Sequence, residues 1–293
     1  MLMMHTLHRV GKGLEADVAG ESMLGGTGGF MLELEGKTAL VFGVASEESI
    51  AWAICEQLAA AGCKLILGFQ RRFMSRVFQL KEKLDAIEAF YPIDVSTNEL
   101  TAEFFTEWQA ETPGAKADIV IHAIGFAPRE CFDRPILFAE NEPMNTAMTV
   151  SAHSLQRLMR HALPHLAPNS STITLTYAAS TRWVPNYGVM SIAKAALEAW
   201  TRELANHVGP DGHRVNAISP GPIKTLAASG IPGFDDILNH VERNSPLRRN
   251  VNQNDVAGCA VWLASPLSSG VTGQIIHVDA GYSSTMVPDS ISD

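Results

Sequence analysis

Short apolar runs alternate along the chain with longer segments in which apolar residues recur every three or four positions. The run TALVFG (38–43) ends in glycine and predicts a buried strand. The spacing in SIAWAICEQLAAAG (49–62) instead predicts a helix, which also ends in glycine. The alternation continues to QIIHVD (274–279), so the pattern predicts strands that are each followed by a helix.

Seven strands are predicted, and short connections join them to the helices. Because buried parallel strands read as continuous apolar runs, we expect a Rossmann-type doubly wound parallel sheet of about seven strands in a single α/β domain. The predicted strands cover 38–43, 64–68, 89–95, 117–125, 171–177, 214–219 and 274–279. The predicted helices cover 49–62, a basic segment after residue 68, 102–111, 145–163, 187–208, 234–243 and 254–264.

The first 30 residues differ from the rest of the chain. They contain the glycine-rich run MLGGTGGF and no periodic apolar pattern, so we expect 1–30 to be a flexible N-terminal extension and 31–293 to be the folded domain. Alternatively, these residues lie upstream of a natural start at Met31. No predicted strand precedes the glycine run, which disfavours a phosphate-binding loop there.

Composition and charge narrow the possible partners. The chain has 293 residues, 46% of them hydrophobic, and a formal net charge of −9, which argues against a nucleic-acid surface. The sequence contains no run of about 18 apolar residues, so no membrane span is predicted. Four scattered cysteines match no zinc spacing and favour a reduced, cytoplasmic protein. His161 and His165 lie one helical turn apart, but no carboxylate cluster completes a site, so no metal is predicted.

The turn after the first strand is the first candidate ligand site, because doubly wound sheets bind ligands at the carboxyl ends of their strands. Gly43 suits a tight turn, and the next helix offers free N–H groups to a pyrophosphate. The usual G-x-G-x-x-G is absent, and Ser46 and Ser49 stand where glycines are expected. An ordinary strand–helix turn capped by Ser49 is the alternative.

The end of the second strand, GFQRR (68–72), carries no carboxylate for an adenosine ribose. Arg71 and Arg72 could meet the 2′-phosphate of NADPH, or they simply begin a solvated helix. Asp94 ends the third strand, where a carboxylate could accept from an adenine amino group. The small residues of HAIG (122–125) would let the backbone approach a ribose and nicotinamide.

Tyr187 and Lys194 are separated by six residues. On a helix, seven positions turn by about 700°, so the two side chains would share a face about 10.5 Å apart along the axis. Ser191, at the one-turn position, cannot supply an ammonium. Tyr187 would then donate a proton or stabilise an oxyanion, while Lys194 would hold a ribose. With Tyr177 at the end of the fifth strand, the alternative is a core-edge aromatic pair and a snorkelling lysine.

These segments together resemble the enoyl-acyl-carrier-protein reductases of the short-chain dehydrogenase superfamily, the branch with Tyr-x6-Lys in place of Tyr-x3-Lys. The resemblance runs from about residue 31 to residue 284 and implies reduction of a trans-2-enoyl thioester, carried by an acyl carrier protein or coenzyme A, in fatty acid synthesis. The matching segments are GVASEESIAW, HAIGFAP, LTY, PNYGVMSIAKAALEA, RVNAISPGPIKTLAASGI and GQIIHVDAGYS.

The resemblance also implies a binding site for NADH or NADPH and a homotetramer. Tyr177, Tyr187 and Lys194 match catalytic positions, and Ala127 and Tyr177 match substrate contacts. Arg71 is added to the candidate cofactor site because it could contact the 2′-phosphate of NADPH. The implied cofactor contacts are Gly43, Ser49, Ile50, Gln70, Asp94, Val95, Ile124, Gly125, Lys194, Ile223, Thr225 and Ala227.

A small-residue segment, TLAASGIPGFDDIL (225–238), predicts a lid whose Phe234 and Ile237 line an acyl pocket, with a plain surface helix as the alternative. Asp235 and Asp236 stand where many bacterial members carry basic residues that face the acidic carrier. The nearest basic pair in the sequence is Arg248–Arg249.

Two rival functions remain open at this point: a ketoreductase of the same fold, and a non-catalytic dinucleotide sensor. In an enoyl reductase, hydride goes to the β-carbon and negative charge appears on the more distant thioester oxygen. The longer Tyr–Lys spacing is compatible with that chemistry, and the presence of Tyr177 favours it over a ketoreductase.

Overall fold

The structure is a computed structural model that describes residues 32–133, 135–225 and 228–285. The predicted extension at 1–30 lies outside the described residues. Within the described ranges, no helix is long and apolar enough to cross a membrane.

A seven-stranded sheet forms the centre of the fold, and every pair of neighbouring strands is parallel. The strands are β1 (Thr38–Phe42), β2 (Lys64–Phe69), β3 (Ile87–Pro92), β4 (Ala117–His122), β5 (Leu166–Leu175), β6 (Arg214–Pro220) and β7 (Ile275–Val278). Their order is β3-β2-β1-β4-β5-β6-β7. The chain reverses its direction of winding between β1 and β4, where doubly wound sheets bind ligands. The predicted single-domain Rossmann-type fold is confirmed.

Helices cover both faces of the sheet. They are α1 (Ile50–Ala60), α2 (Met74–Lys81), α3 (Asn98–Glu111), α4 (Glu130–Asp133), α5 (Asn141–Met148), α6 (Ser154–Ala162), α7 (Val189–Val208), α8 (Phe234–Asn244) and α9 (Gln253–Ala264). The single helix predicted over 145–163 is instead α5 and α6 joined by a π-helical turn, Thr149–His153. This turn brings the Ser151 hydroxyl to the backbone of Phe126, 2.8 Å from both its N–H and its carbonyl oxygen.

The side chains of β1 show why its sequence is apolar throughout. Ala39 and Val41 belong to the core layer that contains α1 and α9, whereas Leu40 and Phe42 belong to the layer that contains α3 and α6. Alternate residues of a strand face opposite sides of the sheet, and here helices bury both sides. A continuous apolar run is therefore the pattern that this central strand requires.

The carboxyl ends of β1, β2 and β4 meet at Gly43. Its N–H donates to the Gly68 carbonyl at 3.4 Å, and the Ala123 N–H donates to the Phe42 carbonyl at 2.9 Å. Gly43 has φ +105°, and a Cβ at this position would lie 2.1 Å from the Ala123 carbonyl oxygen. The close approach of the two central strand ends therefore depends on a residue without a side chain.

Gly43→Ala should lower the free energy of unfolding by about 2 kcal/mol or more, because it combines an unfavourable φ with a backbone clash. Gly36→Ala is the matched control: Gly36 also has positive φ (+72°), but a Cβ there meets no atom within 4 Å. We expect that control to lose about 1 kcal/mol. Urea unfolding at one protein concentration measures both, and equal losses would show that the clash with Ala123 is relieved.

Candidate active site

A cavity of about 930 Å³ runs along the carboxyl edge of the sheet. Its wall is formed by the ends of β1, β2, β4, β5 and β6 together with the first turn of α8. This volume and position match a site for a large organic ligand in a doubly wound fold.

The cavity collects most of the predicted site residues from distant parts of the chain. Those in its wall are Gly43, Ser49, Ile50, Gln70, Val95, Ile124, Gly125, Ala127, Tyr177, Tyr187, Lys194, Ile223, Thr225, Phe234 and Ile237. Arg71 and Asp94 are absent from the wall among the described residues, and Ala227 lies outside the described ranges. The functional roles of all these residues stay predictions.

The first turn fits a pyrophosphate, and both of its serines, Ser46 and Ser49, lie in the cavity wall. The Ser49 hydroxyl caps α1: it accepts from the Trp52 N–H at 3.2 Å and donates to the Ser46 carbonyl at 2.7 Å. The Ser46 hydroxyl lies in the cavity wall, is buried, and has no hydrogen-bond partner among the described residues. A buried hydroxyl without a partner beside a helix N-terminus suits an anionic ligand group. The cap by Ser49 that the sequence offered as an alternative is therefore present, and it leaves the Ser46 hydroxyl for a ligand.

Gln70 and Arg72, which follow β2, also lie in the cavity wall. The Arg72 guanidinium carbon lies 4.8 Å from the ring centre of Phe73 and 5.5 Å from that of Phe126, within the range of cation–π contacts. Of the two neighbouring arginines, Arg72 lies in the cavity wall and Arg71 does not. Asp94 is exposed, and its carboxylate accepts from the Ser96 N–H at 2.8 Å.

Lys194 is buried, with an exposed fraction of 7%, which contradicts the alternative of a snorkelling lysine. Its ammonium donates to the Leu175 carbonyl at 2.8 Å, and a Cβ at Gly125 would lie 3.7 Å from its Nζ. Burial lowers the pKa of Lys194 to about 8, and the nearby Glu198 charge opposes that shift. The lysine thus holds a positive charge between the ends of β4 and β5 at neutral pH.

The two tyrosines pack against each other, with ring centres 5.0 Å apart and ring planes inclined by 57°. Burial raises the pKa of Tyr177 to about 12 and also raises the pKa of Tyr187. Both phenols are therefore protonated at neutral pH and can donate hydrogen bonds.

The helix predicted to start at Tyr187 starts instead at Val189, which corrects the argument that Tyr187 and Lys194 share a helical face. Two residues with positive φ, Asn186 (+60°) and Gly188 (+46°), flank Tyr187 in a turn before α7. This turn bends the chain over the cavity. The position of Tyr187 is consequently set by the turn and by packing on Tyr177, and the helical period does not determine it.

The segment after β6 is attached to this turn. The Asn186 side-chain amide donates to the Pro232 carbonyl at 2.8 Å, and Lys224 forms an exposed ion pair with Asp235 at 3.1 Å. Phe234 and Ile237, in the first turn of α8, line the cavity. The first turn of α8 is thus part of the cavity wall, in contrast to the alternative of a plain surface helix.

A doubly wound sheet with paired tyrosines and a buried lysine at its carboxyl edge is typical of nucleotide-dependent reductases. A family model described as enoyl-(acyl carrier protein) reductase matches residues 43–283. The chain belongs to this family.

Relatives and solved structures agree with this assignment. An enoyl-[acyl-carrier-protein] reductase [NADH] from Nostoc sp. is 42% identical over 256 residues, which cover 86% of this chain and 98% of the relative. The Bacillus cereus enoyl-acyl carrier protein reductase, solved with NADP+ and indole naphthyridinone, has a TM-score of 0.83 and 40% identity, covering 87% of this chain and 99% of that one. The Anaplasma phagocytophilum reductase, solved with NAD, has a TM-score of 0.82 and 38% identity, covering 88% and 97%.

Asn186→Gly should loosen the start of α8, because it keeps the positive φ and removes the donor to Pro232. Loss of one hydrogen bond should speed amide exchange at Asp236 and Ile237 by about two- to tenfold. Asn169→Gly is the control, since Asn169 also has positive φ (+59°) at another place in the fold. Hydrogen–deuterium exchange measures both, and equal exchange at residues 236 and 237 in the two variants would show that the link does not hold the helix.

Proposed function

We propose that residues 31–293 form an enoyl-[acyl-carrier-protein] reductase domain that reduces the trans-2 double bond of an enoyl thioester with NADH or NADPH in fatty acid biosynthesis. The observation that carries this proposal is the convergence of two protonated phenols and a buried ammonium on one cavity, in a chain of this family. That arrangement can stabilise negative charge on an oxygen without supplying a base.

When bound, the nicotinamide cofactor would supply a hydride to the β-carbon of the enoyl group, and a proton from solvent would complete the reduction at the α-carbon. Negative charge then develops on the thioester oxygen, and the Tyr187 hydroxyl donates a hydrogen bond to it. Tyr177 packs against the Tyr187 ring and fixes its orientation. The Lys194 ammonium binds a ribose hydroxyl and adds positive charge to the site. Apolar residues of α8, Phe234 and Ile237, cover the acyl chain and keep water away.

The cofactor contacts follow from the polar groups of the cavity wall. The Ser46 hydroxyl and the N-terminus of α1 would hold the pyrophosphate, and Gln70 would meet the adenosine ribose. Arg72 is the cation placed to meet a 2′-phosphate and supports the use of NADPH. NADH is supported by the NADH-dependent reductase of Nostoc sp. and by the NAD complex of the Anaplasma phagocytophilum reductase.

On the substrate side, the carrier is an acyl carrier protein or coenzyme A. The basic pair near the lid already has contacts within the chain: Arg249 forms a bidentate ion pair with Asp255, and Arg248 donates to the carbonyls of Arg243 and Ser245. These contacts anchor the segment between α8 and α9. They weaken the case for this pair as the surface that attracts an acidic carrier.

We further propose that the protein is a homotetramer located in the cytoplasm. Closed symmetric assemblies are common among such chains, and the family resemblance supports a tetramer. The cysteines Cys55, Cys63, Cys131 and Cys259 are free thiols, which fits a reducing compartment.

The purified protein should oxidise NADH or NADPH at 340 nm with a crotonyl or 2-octenoyl thioester and leave a β-ketoacyl thioester largely unchanged. The physical reason is that Tyr187 meets the distant thioester oxygen and does not protonate an alkoxide at the carbon that receives hydride. Turnover of the β-ketoacyl thioester alone would identify a ketoreductase. Cofactor binding without turnover of either substrate would identify a sensor.

Tyr187→Phe should lower kcat by about 100-fold with little change in cofactor affinity, because it removes one hydroxyl that stabilises the transition state. Tyr177→Phe is the matched control, since it removes the neighbouring hydroxyl and keeps the ring that packs against Tyr187. We expect it to retain more activity than Tyr187→Phe. Steady-state kinetics and cofactor fluorescence measure both effects, and a larger loss in Tyr177→Phe would transfer the oxyanion role to Tyr177.

A further inference from the structure

Glu198 is a buried carboxylate beside the active site to which the mechanism above gives no role. It lies on α7 one turn after Lys194, and only 6% of its surface is exposed. A carboxylate taken out of water costs several kcal/mol unless hydrogen bonds and opposite charge replace the water. Its position therefore requires a partner and suggests a role.

The partner is the hydroxyl of Thr176, which donates to Glu198 Oε1 at 2.8 Å. Thr176 is buried, lies in the cavity wall and is held on its other side by a hydrogen bond from its N–H to the Ile218 carbonyl at 2.8 Å. The preceding residue, Leu175, accepts from the Lys194 ammonium. Two successive turns of α7 thus form hydrogen bonds with two successive residues, Leu175 and Thr176, directly before Tyr177.

We propose that Glu198 is a positioning residue for the reductase reaction: it fixes the strand end that carries Tyr177, and its negative charge keeps the buried Lys194 ammonium charged. This inference rests on the proposed function, because it assigns Glu198 a part in the same site.

The other titratable groups around Lys194 do not provide this charge. They are His122 at the end of β4, and Tyr177 and Tyr187 over the cavity. Burial lowers the pKa of His122 to about 3, so its imidazole is neutral, and both phenols are protonated. His153 of the π-helical turn instead accepts from the Trp200 indole at 3.0 Å. Among the described neighbours of Lys194, Glu198 is therefore the group that brings negative charge.

The first test is the pH dependence of NADH binding, measured by fluorescence without substrate. In the unchanged protein, affinity should fall as the pH rises through the pKa of Lys194, near 8. Glu198→Gln keeps an acceptor for Thr176 and removes the charge. The Lys194 pKa should then fall, so the loss of affinity should move to lower pH by about one unit. Glu203→Gln removes one charge from an exposed site on the same helix and should leave the profile unchanged.

The second test separates the hydrogen bond from the charge. Thr176→Val removes the hydroxyl and keeps the Glu198 side chain, so kcat should fall by about two- to tenfold, and the pH of half-maximal NADH binding should move down by less than in Glu198→Gln. Thr176→Ser should restore kcat. If Glu198→Gln is too unstable to purify, the kcat values of Thr176→Val and Thr176→Ser still test the positioning role.

The outcomes distinguish this inference from the proposed function. If the unchanged protein binds neither NADH nor NADPH and reduces no enoyl thioester, the proposed function fails. If it does both, but Glu198→Gln shifts the profile no more than Glu203→Gln and Thr176→Val keeps full kcat, Glu198 has no positioning role.

Discussion

An ammonium group buried without water costs several kcal/mol unless oxygen atoms replace the water, and at the end of β5 the Leu175 carbonyl replaces part of it around Lys194. The lysine then remains charged at neutral pH in a largely apolar surrounding, where a charge acts more strongly than in solvent. The geometry of the active site depends on this contact, because it joins the long helix α7 to the strand end that carries Tyr177.

The backbone conformation of two turns determines which chain segments surround the cavity. Gly43 lets β1 and β4 approach closely, and the cavity opens beyond them. The turn with positive φ at Asn186 and Gly188 brings Tyr187 over the same opening. Asn186 then ties the start of α8 to the turn through Pro232. The proposed catalytic groups are thus supported by strands and helices on one side, and by the hydrogen bond from Asn186 to Pro232 on the lid side.

Much of the fold could be predicted from the sequence, because buried parallel strands require apolar residues on both faces and helices end at identifiable residues. The order of elements was right from β1 to β7, and Ser49 does cap α1. Two predicted boundaries were wrong in informative ways. The π-helical turn between α5 and α6 places the Ser151 hydroxyl against the backbone of Phe126. Helix α7 was predicted to start at Tyr187 and starts at Val189.

The sequence by itself determined the fold class, the family and the identity of the tyrosines and the lysine, because these depend on apolar periodicity and on motifs that are local in the chain. Only the tertiary structure decided that Ser46 offers the free hydroxyl, that Arg72 lies in the cavity wall, and that Glu198 meets Thr176. These contacts depend on backbone dihedral angles in turns and on distances between residues far apart in sequence. Hydrophobic periodicity carries no information about either quantity.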